Sequence, residues 1–159
     1  MKMCNMEIIL IIAFVFTCVY LTLKNTKKVE KIYNPVPCDM ITSEEIELVR
    51  LINEYRLSIG LGFVSVEKLA CELCDDHVQY METYKVVNHD SSALRHIQSK
   101  AYRSGEICSG NIFSPKAIFT AYLHSPTHKA IIVDPIFTHL GISTSNGYNC
   151  IIFTNYKSK

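Results

Sequence analysis

From residue 42 onward the apolar positions recur with helical spacing and then change period. Thr42-Ser43-Glu44-Glu45 reads as a capping box. Behind it Ile46, Val49, Ile52 and Tyr55 fall on one helical face. That helix is predicted to end near Leu57, with Gly60 and Gly62 supplying the turn. A second helix is predicted from about Val66 to Tyr84, with Leu69, Leu73, His77, Tyr80 or Met81, and Tyr84 on its inner side. A short third one runs from Ser92 to Tyr102, offering Leu94, His96, Ile97 and Ala101 for packing. Near the C-terminus, Leu140-Gly141-Ile142 and Ile151-Ile152-Phe153 flank Ser145-Asn146-Gly147, a hairpin signal. With the segment around Ile107 they predict a three-stranded antiparallel sheet with helices on both faces, an α+β domain.

A different pattern precedes the domain. Ile8 to Leu23 carries no charge and is stopped by Lys24. It is slightly short of the ~20 residues of a comfortable membrane span, and long for a signal-peptide core. No small-residue cleavage site follows it, so an uncleaved hydrophobic helix is the first reading and a cleaved signal the second. Pro35 and Pro37 hold the next stretch extended. The expected division is therefore a membrane anchor or signal segment over 1–28, a linker over 29–41 and the domain over 42–159. Lys24, Lys27, Lys28 and Lys31 outnumber Lys2, a bias that favours a cytoplasmic domain.

Charge and cysteine content sharpen this picture. The formal net charge is +1, but residues 1–28 hold Lys2, Lys24, Lys27 and Lys28 against Glu7, so the remainder is net acidic. A domain without a basic face is a poor partner for nucleic acid. Of seven cysteines, Cys38, Cys71, Cys74, Cys108 and Cys150 lie beyond the hydrophobic run. Export makes disulfides plausible, among them one from Cys71 or Cys74 to Cys38; a reducing compartment leaves buried thiols. Cys108 and Cys150 fit adjacent strands, bonded or merely close. Cys71-x-x-Cys74 inside a helix is a weak redox or zinc signal.

The stretch from Gly105 to Ile142 concentrates the chemistry. Glu106 follows a glycine, and His128 sits behind Ser125-Pro126-Thr127. His124-x-x-x-His128 has the spacing of a helical metal pair, but Pro126 argues for a loop there. His77, on an apolar helix face, reads as a core histidine, whereas His89 sits where a loop begins. No serine-centred nucleophile motif is visible.

An ordered set of short motifs runs through the domain: Leu51-Ile52-Asn53-Glu54-Tyr55-Arg56, His77-x-x-x-Met81, Asn88-His89, Arg95, Gly105-Glu106, Ser125-Pro126-Thr127-His128-Lys129 and Asp134-Pro135-x-Phe137-Thr138-His139-Leu140-Gly141. Over residues 43 to 156 this set resembles the CAP superfamily, the SCP domain of cysteine-rich secretory, antigen 5 and pathogenesis-related proteins, in its compact microbial form. The resemblance implies a three-layer α-β-α sandwich with a small central antiparallel sheet. It implies a cleft lined by His89, Glu106 and His128, with Ser125 where many members carry a second glutamate. Together with the cysteines it favours an exported domain over the charge bias. Two imidazoles and one carboxylate fit zinc or another divalent cation with an open position; equally, they form a hydrogen-bonded network that ties the cleft walls together. The expected function is an extracytoplasmic, membrane-anchored or secreted binding module for a small apolar or lipid-like ligand, a peptide or a protein partner. The alternative is a metal-dependent hydrolase with Glu106 as general base.

Overall fold

The computed structural model describes residues 41–156. The expected N-terminal anchor, most of the linker and Cys38 lie outside them, and none of the described helices is long and apolar enough to cross a membrane. The elements follow in the order α1 (Ser43–Ser58), β1 (Ser65–Val66), α2 (Lys68–Tyr84), α3 (Ser92–Ser99), β2 (Arg103–Ser109), α4 (Pro115–His124), α5 (Pro126–Ile132), β3 (His139–Ser145) and β4 (Tyr148–Asn155). Thr42 caps α1 through the reciprocal box with Glu45, as its sequence dictates.

The sheet has four strands in the order β1-β3-β4-β2. Three are antiparallel as expected; the fourth, β1, adds two residues parallel to β3. Asn146 and Gly147, both at positive φ, close the β3–β4 hairpin in two residues, which suits the twist of the flanking strands.

Alternation along the strands produces two cores, one on each face. Ile107, Leu140, Ile142, Ile151 and Phe153 meet Leu48, Val49 and Ile52 of α1, Ile118 and Tyr122 of α4, and Ile132 of α5. On the other face, Cys108, Cys150, Ile152 and Tyr148 meet Leu73, Cys74, Val78 and Met81 of α2. The result is the α-β-α sandwich. Gly141 lets α2 lie close on β3, since a Cβ there would sit 2.0 Å from the Ala70 carbonyl carbon.

Two polar residues of α1 organise the loops. Asn53 exchanges hydrogen bonds with both backbone groups of Val64. Arg56, 1% exposed, donates to the carbonyls of Gly62, Ile132, Asp134 and Phe137. A buried guanidinium needs acceptors for its donors; Gly62 fixes the loop after α1, and the other three tie α1 to the end of α5 and the α5–β3 connection.

Several sequence expectations are corrected in detail. Val66 belongs to β1 rather than to a helix start. Tyr80 and Tyr84 face outward on α2. Helix α3 stops at Ser99 and is turned over: Arg95 and Ser99 are buried while Leu94 and Ile97 are exposed. Pro126 begins a helix instead of extending a loop, because a proline at the first position gives up no needed N–H. No disulfide joins the described cysteines: Cys71, Cys74, Cys108 and Cys150 are free buried thiols. Cys71 belongs to one core and the other three to the opposite one; burial raises the pKa of Cys71, Cys74 and Cys150, and the neighbouring Cys150 thiol followed by burial raises that of Cys108, so all four favour the protonated thiol.

Candidate functional site

Glu106 lies mid-way along β2 and points to the face that α2 covers, as do Ser104 and Cys108 by alternation. Its side chain is only 9% exposed. Such a carboxylate requires a partner, and Arg95 of α3 supplies it. Arg95 Nε donates to Oε2 at 2.6 Å and Nη2 to Oε1 at 2.8 Å, a two-pronged pairing that fits the guanidinium fork. The third arm, Nη1, donates to the carbonyl of Asp90 at 2.7 Å and fixes the preceding loop. This pair explains the rotation of α3: the helix presents its cation inward, and its apolar side chains turn out.

His89 comes from that loop. Its Nδ1 is 2.9 Å from Glu106 Oε1, and its ring is half exposed. His77 of α2 stands behind the carboxylate, with Nε2 3.9 Å from Oε1 and 3.0 Å from the Asn88 carbonyl. Burial alone would raise the Glu106 pKa; Arg95 and His89 outweigh it and hold the carboxyl below its usual range.

The structure thus joins two of the three expected cleft residues directly. His128 lies in the first turn of α5, where its ring packs edge-on against Tyr122 at 5.0 Å. Burial and then the neighbouring His89 lower its pKa, so the two imidazoles sense each other electrostatically without sharing the carboxylate. Ser125 is committed to capping α5: its Oγ accepts from the His128 N–H at 3.5 Å and lies 3.1 Å from Thr127 Oγ1.

As arranged, His89, Glu106 and His128 do not converge as the divalent site expected from two imidazoles and a carboxylate would need. Both oxygens of Glu106 serve Arg95, and the donor atoms that gather within 4.8 Å among the described residues belong to His77, Glu106 and Cys108. The motif order includes Arg95 but assigns it no role. One signal for it was present: an arginine on a short helix just before a strand carboxylate, in a chain whose fold buries that strand.

On the Glu106 side the cleft is a cavity of about 500 Å³ between α3 and β2, bordered by His89, Arg95, His96, Tyr102, Ser104 and Glu106; His128 and Ser125, expected to line the cleft, are not on its wall. Ala93, Arg103 and Ile152 complete much of its wall. His96 Nδ1 lies 2.7 Å from Ser104 Oγ.

This geometry accompanies a family-wide match. The profile of the cysteine-rich secretory protein family, CAP, covers residues 49–155. The chain belongs to the CAP family. No match was found among curated protein sequences. Among solved structures the CAP fold recurs in an outer surface protein of Borrelia burgdorferi, with 17% identity, TM-score 0.65, and coverage of 74% of this chain and 97% of that one. It recurs in an extracellular protein with an SCP domain from Bacillus anthracis, at 19% identity and TM-score 0.64, covering 76% of this chain but 44% of the longer protein. A cysteine-rich secretory protein from Staphylococcus aureus aligns at 12% identity and TM-score 0.63, covering 69% of this chain and 37% of that one. This CAP chain therefore shares the compact bacterial form of the fold.

Proposed function

We propose that this CAP domain is a non-catalytic binding module, displayed outside the cytoplasm and tethered by its N-terminal hydrophobic segment, whose cleft holds a peptide segment of a partner. The observation that carries the reading is the Arg95–Glu106 pair. A general base needs a carboxylate whose pKa is raised toward the working pH; Glu106 is held in the opposite direction. A two-armed ion pair suits it to building a rigid wall. The cleft exposes His89, Tyr102 and Arg103 beside a small apolar surface from Ala93 and Ile152. Such a mixture matches backbone carbonyls and short side chains better than a lipid tail, which needs a continuous apolar lining. The display outside the cytoplasm is supported by two structural relatives, one an outer surface protein and one an extracellular protein.

The test is amide NMR of the domain with pools of short synthetic peptides. Binding should shift resonances in residues 89–106 and weaken in Arg103→Glu, with the peptide recovered intact. Shifts confined to other surfaces, or peptide cleavage abolished by Glu106→Gln, would overturn the reading. Export is checked by fusing alkaline phosphatase after Lys159: an inactive but expressed fusion contradicts it.

A further inference from the structure

The sheet ends differently on its two sides. On one side β1 is only two residues long, a short strand that blunts the edge. On the other, β2 is seven residues without proline and stands last in the order β1-β3-β4-β2. Register fixes which way its backbone groups point. Because Ser145 and Tyr148 close a two-residue turn, they form a hydrogen-bonded pair, and so do Ser143 with Cys150, Gly141 with Ile152 and His139 with Thr154. The Thr154 carbonyl indeed faces that side, accepting from the Thr138 N–H at 3.1 Å. Asn149, Ile151, Phe153 and Asn155 of β4 therefore turn their backbone groups to β2, and the Asn155 carbonyl accepts from the Tyr102 N–H at 2.8 Å. Their partners across the ladder are Ser109, Ile107, Gly105 and Arg103.

The N–H and C=O groups of Ser104, Glu106 and Cys108 then point away from β4, toward the outer edge. Among the described residues, no backbone or side-chain group bonds to them there. Burial sets the length of the open stretch. Ile107 and Cys108 are closed over, at 0% and 3% exposure. Ser104 and Glu106 instead border the cleft cavity, across from Ala93 and His96 of α3. Backbone groups left over at a strand edge are satisfied by another extended chain.

We propose that the bound peptide adds a fifth strand to the sheet, pairing its backbone with Ser104 and Glu106 along the open edge of β2. The proposal rests on the peptide reading above and specifies how the cleft holds its ligand. Ser104 and Glu106 each offer one N–H and one C=O, so a segment of about three residues makes about four backbone hydrogen bonds. An added strand lies about 4.8 Å from β2, inside the recess of about 500 Å³. Its main chain supplies affinity whatever its sequence. Its alternate side chains turn toward the wall formed by His89 and Ala93 and select among peptides. The same wall favours a single extended segment. A lone strand fits beside Ala93 and His96, whereas the β2 edge of a second copy brings its own α3 against them.

The test follows amide hydrogen exchange by NMR on the full wild-type chain in detergent, so no variant has to fold. The probes are end-blocked hexapeptides that shift cleft resonances, each with two copies N-methylated at alternate residues in opposite phase. In the free protein Ser104 and Glu106 should exchange quickly, and Gly105 and Ile107 slowly. At about 90% occupancy the first two should slow roughly tenfold, because only the free tenth of the protein exchanges. The methylation phase that removes the N–H groups facing β2 should abolish binding, and the opposite phase should spare it. Slow exchange of Ser104 and Glu106 in the free protein overturns the open edge. So does cleft binding that leaves their exchange unchanged or suffers equally from both phases; the peptide reading then stands without the strand. Protection that grows with protein concentration alone gives the edge to a second copy and overturns the proposal. If no hexapeptide shifts the cleft, the peptide reading and the strand fall together.

Discussion

Glu106 and Arg95 show how one pair of residues decides what a cleft does. Both side chains are 9% exposed, so removing one partner strands the other charge in a poorly solvated place. Arg95→Ala should cost about 3–5 kcal/mol, read as a lower urea midpoint at unchanged slope. Arg95→Lys keeps the charge but loses the fork, and should recover only part of the loss. The pH dependence follows from the direction of the Glu106 shift. Its folded pKa lies below the unfolded value, so its stabilisation is present above about pH 4.3. It is lost as pH falls through the folded value, where the native state must also protonate. Glu106→Gln should be less stable at neutral pH and show a shallower decline on acidification. An unchanged acid limb in a folded Glu106→Gln protein would show that other carboxylates control it. His128 adds a second contribution of the same sign: its folded pKa is lowered, so the unfolded chain takes up the proton first and stability falls as pH drops below about 6.5. His77 acts oppositely. Burial pulls its pKa down, but Cys108 and Asn88 leave it raised, and its contribution fades as pH rises.

At the level of elements, close approach of helix and strand is the feature most exposed to a single change. A Cβ at Gly141 would meet backbone atoms of Ala70 and Cys71 at 2.0–2.3 Å, and backbone cannot swing aside as a flexible side chain does. Gly141→Ala should therefore reach or exceed the roughly 3 kcal/mol upper end of overpacking costs. Gly62→Ala, with nothing within 4 Å of the added carbon, is the matched control, and equal unfolding midpoints for the two would refute the clash. Gly141 is legible in the sequence only as part of a strand, since its neighbour α2 is distant in the chain. Local features are the ones a sequence displays: the Thr42–Glu45 box, the Asn146-Gly147 turn and the strand character of Cys108 all depend on residues within a few positions. Residues that depend on distant partners are not legible in the same way. The two-residue β1 carries no periodicity of its own; it exists because Ser65 and Glu67 donate to the carbonyls of Thr138 and Leu140. Leu94 and Ile97 satisfy an apolar pattern for α3, but turning them inward would leave the Glu106 carboxylate without its guanidinium, a cost of about 3–5 kcal/mol that offsets most of the about 1.5–3 kcal/mol each side chain would gain. The cleft shows the same division. His89 and Glu106 follow from motif order and meet, whereas Arg95, which defines their electrostatics, requires knowing which way α3 faces.

Across the whole molecule, the shared sheet couples the two cores. Ile107 and Cys108, or Ile151 and Cys150, are sequence neighbours that point into opposite layers. Separating α2 from the sheet exposes one core and removes backing from the strands that form the other. Global opening is thus the route by which solvent reaches the inner thiols, with no small local motion sufficient. Cys74 and Cys150 are both fully buried, and burial pushes both thiols up from their ordinary pKa, so neither supplies thiolate while the sheet is intact. Metal-free, reduced protein treated with a thiol reagent in increasing urea should therefore label Cys74 and Cys150 at rates that extrapolate to the global unfolding free energy. Destabilising either layer, by Gly141→Ala on the α2 side or Ile118→Val on the α4 side, should speed both positions by the same factor. Labelling of Cys74 or Cys150 that ignores urea, or responds to only one of the two substitutions, would mean that α2 opens by itself and that the sandwich behaves as two separable layers.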